Sequence, residues 1–255
     1  MFADIDPQHR GLLNLTVAGT TRSAVLDPQA PGQAFELAQA GVWRQFISYS
    51  AEGVWHIWIG FDHILFLLSL LLPAVMLWQP LHHGGGRARG HWCPVGHFGG
   101  AFWEVLRIVT AFTLAHSITL SLATLGLVSL PSRWVESAIA ASVVLAALNN
   151  VYPVFQGRRW LVAFVFGLIH GFGFATVLAD LGLPQGALVT ALLGFNLGVE
   201  AGQLAIVAVF LPLAYALRRT LFYRWAVLWA GSMLIASLAG VWLAERLFNF
   251  KLLPF

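Results

Sequence analysis

The chain has 255 residues, of which 58% are hydrophobic and only 10% charged, where a soluble domain averages about 25% charged. With a mean hydropathy of +0.76, this excludes an ordinary soluble protein and points to an all-α polytopic membrane protein. The net charge of +3 is no nucleic-acid footprint, because the arginines stand at the ends of apolar runs and form no patch beside stacking aromatics. A single cysteine, Cys93, excludes an internal disulfide.

The start, Met1-Phe2-Ala3-Asp4, lacks the basic segment and apolar core of a signal peptide. Residues 11–38 nevertheless read as short strands. Leu12–Val17 and Thr21–Leu26 flank the turn Ala18-Gly19-Thr20, and Gln33–Leu37 follows two proline breaks. Residues 1–40 are therefore expected to be an extracytoplasmic β-region, either the end of a larger domain or a small sheet packed on the membrane part. On the first of these readings, an upstream signal is expected to precede Met1. Residues 41–53 contain VWRQFISYSAE, which suits an amphipathic helix at the interface.

Residues 54–247 then hold six expected transmembrane helices, at 54–78, 104–129, 133–152, 160–181, 187–217 and 224–247. Each is long enough for a hydrocarbon core of about 30 Å at 1.5 Å per residue. Trp55, Trp78, Trp103, Trp134, Trp160, Trp225 and Trp242 fall near their ends, as interfacial anchors do. One set of loops and span ends carries Arg87, Arg89, Arg107, Arg158, Arg159, Arg218, Arg219 and Arg224. The other carries Arg44, Arg133, Arg246 and Lys251. The richer set is expected to be cytoplasmic, so both termini face out of a bacterial inner membrane.

Inside these apolar spans stand residues that membranes rarely tolerate. The first holds His56, Asp62 and His63; the second Thr113, His116 and Ser117; the third begins with Glu136; the fourth holds His170; the fifth holds Asn196, Glu200 and Gln203. An acid or base at mid-bilayer costs about 2.5–3.5 kcal/mol, so Asp62, Glu136 and Glu200 alone would cost roughly 8–10 kcal/mol unpaired. A lone membrane histidine is an ordinary helix–helix hydrogen-bond partner; four of them with three acids call for a ligand. Imidazoles and carboxylates at one depth suit a borderline divalent ion such as nickel, cobalt or zinc.

Spacing sets expectations for the geometry. On a straight helix His56 and His63 share a face but stand about 10 Å apart, so they suit two stations on one path rather than one ion. Asp62 points elsewhere and suits a residue that orients a neighbouring ligand. Asn196, Glu200 and Gln203 form a polar stripe, with Gly194, Gly198 and Gly202 on the other side for close helix packing; Gly167 and Gly171 flank His170 similarly. The loop Leu81–Gly100 carries His82, His83, His91, Cys93 and His97 in no closed zinc spacing. It reads as a flexible linker or as a tract that hands metal on.

These segments resemble the HupE/UreJ family of membrane proteins, over roughly residues 40–220. The resemblance rests on GVWHIWIGFDHILFLLSLLLP (Gly53–Pro73), FTLAHSITL (Phe112–Leu120), WVESAIAAS (Trp134–Ser142), FGLIHGFGFA (Phe166–Ala175) and GFNLGVEAGQL (Gly194–Leu204). The family's His-x5-Asp-His signature is matched by His56, Asp62 and His63, and its third-span glutamate by Glu136. Of its second signature, Phe-His-Gly-x-Ala-His-Gly-x-Glu, only Gly167, His170 and Gly171 fit. Phe166 stands where the first histidine would be and Gly173 where the glutamate would be; Glu200 is a candidate replacement for that carboxylate. The resemblance implies passage of nickel or cobalt, serving hydrogenase or urease maturation.

The reading from sequence is therefore a permease for a divalent transition metal, with His56, Asp62, His63, His116, Glu136, His170 and Glu200 as candidate ligands. No G-x4-G-K-[ST] pattern occurs, so the drive is expected from a gradient or a partner. Expected partners are the metal ion and the lipid bilayer, with room for a metallochaperone or maturation protein and for a homo-oligomer. Two alternatives stay open: an intramembrane zinc-dependent hydrolase, in which the metal activates water, and a membrane scaffold for metalloenzyme maturation.

Overall fold

A computed structural model of the chain describes residues 11–17, 20–26, 41–80, 90–155, 157–173, 185–250 and 252. The expected strand at Gln33–Leu37, the histidines His82 and His83, and the last part of the expected fourth span lie outside the described residues.

The first elements are two antiparallel strands, β1 (Gly11–Val17) and β2 (Thr20–Leu26), registered with Leu13 opposite Ala24. Helix α1 (Val42–Ile59) follows. It runs unbroken through residues 42–59, so the segment expected to lie at the interface and the head of the first span are one helix. The break falls at Gly60, where the chain bends by 72° into α2 (Phe61–Leu71). Gly60 is in an extended conformation, and its N–H donates to His56 O, ending α1. A Cβ there would stand 2.7 Å from His56 O and 2.9 Å from His63 Nδ1, so no side chain fits. Asp62 occupies the first turn of α2, where a helix N-terminus favours negative charge.

Beyond α2 the expected first span is replaced at its end by a hairpin, β3 (Met76–Pro80) with β4 (Gly90–Pro94). Then come α3 (Phe98–Thr124), α4 (Ser132–Val151), the short α5 (Arg159–His170) and α6 (Gln185–Leu217). A π-helical segment, Tyr223–Ala230, leads directly into α7 (Gly231–Phe248). Helix α3 ends on Gly126, whose φ of 71° is the left-handed conformation common after a helix.

Among the described residues, four helices are long and apolar enough to cross a membrane: Phe98–Thr124, Ser132–Val151, Leu188–Leu217 and Tyr223–Phe248. The bent pair α1–α2 makes a fifth if it counts as one span. Against the six spans expected, the shortfall lies at α5, whose helix stops at His170. Leu114, Leu145, Val165, Leu193, Val209 and Leu234 are exposed on these helices, as the lipid-facing side of a membrane protein requires.

Two helix pairs pack at unusually short range. On α6, Gly194, Gly198 and Gly202 face α1; a Cβ on Gly198 would sit 2.0 Å from Ser50 O, and one on Gly53 of α1 would sit 2.1 Å from Phe195 O. Gly167 of α5 and Gly171 just past its end face α3, where a Cβ would meet Phe112 O at 2.6 Å and His116 O at 2.4 Å respectively. Without a hydrophobic drive between helices in lipid, such close backbone approach supplies the dispersion contact that holds them. The hairpin end is tied by arginines: Arg159 Nη1 donates to Pro73 O at 3.0 Å, Arg218 Nε to Val95 O at 3.0 Å and Arg224 Nη2 to Trp92 O at 3.0 Å. Arg133 and Arg246 belong to the opposite end, where Arg133 donates to the carbonyls of Arg246 and Leu247.

Candidate metal centre

The two close-packed pairs and α2 bring four histidines together. His56 sits in the last turn of α1, His63 in the first turn of α2, His116 in α3 and His170 at the end of α5. The ring centroids lie 4.5 Å apart for His56–His63, 6.1 Å for His63–His116, 6.3 Å for His56–His116 and 5.6 Å for His63–His170. The expected 10 Å separation of His56 from His63 assumed a straight helix; the bend at Gly60 folds one over the other. One ring nitrogen from each of His56, His63 and His116 lies within 4.8 Å of the others. Nitrogens about 2.1 Å from a shared tetrahedral ion stand about 3.4 Å apart, so small side-chain movements close this cluster on an ion.

The rings are oriented as metal ligands usually are. His63 Nδ1 donates to Asp62 Oδ1 at 2.9 Å, and His170 Nδ1 to Phe166 O at 2.9 Å. His116 Nδ1 faces Asn196 Oδ1 at 3.5 Å, with the Asn196 amide fixed by its own donation to Leu192 O at 2.8 Å. Holding the proton on Nδ1 leaves the lone pair on Nε2. The Nε2 atoms of His63, His116 and His170 are buried and have no hydrogen-bond partner among the described residues. A buried polar atom left this way costs about 1–3 kcal/mol, and a bound cation removes that cost. Phe66, Phe112 and Phe195, each at most 2% exposed, wall the rings in.

The carboxylates divide. Asp62 joins the cluster as the partner of His63, in the orienting position its place on the helix suggested. Glu200 is not one of the residues of the convergent group; it accepts from Thr110 Oγ1 at 2.7 Å, one turn along α6 from Asn196. Together with Thr113 Oγ1 donating to Gln203 Oε1 at 3.1 Å, it forms a polar seam between α3 and α6. Glu136 stands elsewhere. Its Oε1 accepts from Ser132 Oγ at 2.5 Å and its Oε2 pairs with Arg246 Nε at 2.9 Å. Both its oxygens are thereby engaged on the α4–α7 side, away from the imidazoles.

Sequence reasoning missed the break at Gly60 and the aromatic wall. A glycine can close one helix and an aspartate in the first turn marks the start of the next, and Gly60-Phe61-Asp62 carried both signals within what read as one apolar span.

Two openings reach α2 from its two ends. A groove of about 210 Å³ touches Asp62 and Leu65 of α2, and Trp242 and Arg246 of α7. A cavity of about 480 Å³ on the hairpin side touches Ser69, Leu70 and Pro73 of α2, with Asn149, Arg159 and Phe166. Phe66 lies between them, its ring 4.8 Å from His170 and 5.8 Å from Phe166.

A family model described as HupE / UreJ protein matches residues 33–246 of the chain. Searches of curated proteins and of solved structures returned no match.

Proposed function

The chain belongs to the HupE/UreJ family, a transporter family associated with nickel and cobalt uptake rather than one of enzymes, and on that premise we propose that it is a permease for a divalent transition-metal ion. The ion is held in passage by His56, His63 and His116, with His170 beside them as a fourth imidazole. Asp62 sets the tautomer of His63 and supplies the negative charge of the site. The observation that carries this reading is the convergence of His56, His63 and His116 from separate helices, with the buried Nε2 atoms of His63, His116 and His170 lacking a hydrogen-bond partner among the described residues. Neutral imidazole donors suit nickel, cobalt or zinc, and the family association favours the first two. The transporter character of the family sets the hydrolase alternative aside.

The route follows α2. An ion arrives through the groove at Asp62, rests among the histidines, and leaves past Phe66 into the hairpin-side cavity. We further propose that six segments cross the bilayer, with α1–α2 a broken first crossing and α5 beginning the fourth. The groove then opens outward and the arginine-tied hairpin lies in the cytoplasm, with the β-region of residues 1–40 and the carboxyl end outside. A reporter fused after Phe255 that is active only outside the cytoplasm checks the orientation; activity only inside reverses it.

The test of function is nickel(II) and cobalt(II) accumulation in cells producing the protein. His63→Ala and His170→Ala are each expected to bring accumulation to the level of cells lacking the chain while the protein still reaches the membrane. Accumulation unchanged in both variants would overturn the reading.

A further inference from the structure

The groove that ends on Asp62 has a cation in its wall. Arg246 lines it together with Asp62 and Trp242, an arrangement that on charge alone would repel a metal ion. The Arg246 charge is met by Glu136, whose Oε2 lies 2.9 Å from Arg246 Nε. Ser132 Oγ holds the other oxygen of Glu136 at 2.5 Å, which fixes the carboxylate in place. The side chains of Arg246 and Glu136 are 42% and 30% exposed, so neither is needed to hold a buried core. The helix ends are tied separately, by Arg133 donating to the backbone carbonyls of Arg246 and Leu247, and those bonds do not depend on the Arg246 side chain.

We infer that Glu136 controls access of the ion to the site without coordinating it: by neutralising Arg246, it leaves Asp62 as the charge that a cation meets in the groove. This inference rests on the proposed permease function. It assigns Glu136 a positioning role through Arg246, in place of the ligand role that its position in the third expected span suggested. An unpaired guanidinium in the groove would repel a divalent ion.

The experiment measures initial nickel(II) uptake into proteoliposomes at limiting metal, for wild type, Glu136→Gln, Arg246→Gln and the double variant. Nickel bound by the same purified proteins is measured alongside. Glu136→Gln is expected to slow uptake at least tenfold at low ionic strength, with the defect shrinking as salt screens the exposed charge. Removing Arg246 in the double variant is expected to restore uptake to within about twofold of wild type. A merely structural ion pair predicts that Arg246→Gln is as damaging as Glu136→Gln and that the double variant is no better. A ligand role for Glu136 predicts a loss of bound nickel that Arg246→Gln leaves unrepaired. Either result overturns the inference, as does a Glu136→Gln protein with wild-type uptake. Wild-type protein that neither binds nor moves nickel or cobalt overturns the permease reading itself and takes this inference with it, whereas normal wild-type transport with no rescue overturns this inference alone.

Discussion

Helix α2 touches two buried polar clusters, one at each end, and they are built on opposite terms. At its far end Asn150 of α4 donates through Nδ2 to Ser69 O at 2.7 Å and to Ser232 Oγ at 3.0 Å, while its backbone carbonyl accepts from Trp92 Nε1 at 3.1 Å. This cluster joins α2, α4, α7 and the hairpin, and its donors are used within the protein. At the near end, His63, His116 and His170 have their Nδ1 sides held and their buried Nε2 sides bare among the described residues. The first arrangement is complete as it stands and binds helices together. The second is left open among the described residues, and a transition-metal ion, which accepts several nitrogen lone pairs at once, is the ligand proposed for it. Buried polarity in a membrane helix thus separates into structure and function by what is left unsatisfied.

Substitutions at the two ends should therefore have opposite signatures. The largest effect is expected from His116→Ala, which should weaken nickel binding by more than about 100-fold while costing no more metal-free stability than the cavity it leaves, since a bare buried nitrogen goes with the ring. Ser232→Ala at the other end should do the reverse: it should leave nickel stoichiometry intact and cost about 0.6–1.7 kcal/mol of stability, the range for hydrogen bonds between membrane helices. Paired unfolding and binding measurements read both. If Ser232→Ala abolished metal binding and His116→Ala only destabilised the fold, the division drawn here would collapse. A smaller loss of binding is expected from Asp62→Asn, because the ring it orients remains and only its tautomer and basicity are relaxed. Loss of a carboxylate behind a ligating histidine typically weakens metal binding 10- to 100-fold, and isothermal titration with nickel(II) would show it. Binding unchanged in that variant would make the bond between Asp62 and His63 incidental.

Much of this was legible in the sequence, for identifiable reasons. The long apolar runs announced membrane helices because backbone groups in lipid must be satisfied within the segment. The first two strands were read at Leu12–Val17 and Thr21–Leu26, and they pair over Gly11–Val17 and Thr20–Leu26. The Gly194, Gly198 and Gly202 stripe forecast close helix packing, since spacing by four residues places them on one face; that the partner is α1 came from the structure. The histidines were legible as a group because each is expensive in a bilayer. Glu136 and Glu200 looked equivalent to Asp62 by the same cost argument, and cost alone cannot tell a ligand from a charge paired with an arginine or a threonine on another helix.

What the sequence determined by itself was the inventory: a membrane protein, its apolar segments, the glycine faces that let helices touch, and a surplus of imidazoles and carboxylates that had to be compensated. Those follow from local quantities, namely the hydropathy of a window, the period of a helix and the price of a charge in lipid. Tertiary structure alone decided which of those groups meet. The 72° bend at Gly60 brings His56 and His63 to 4.5 Å, the packing of α5 against α3 sets His170 in the cluster near His63, and Glu136 is paired with Arg246 of α7. Each of these depends on contacts between residues far apart in the chain, whose distances no local pattern encodes.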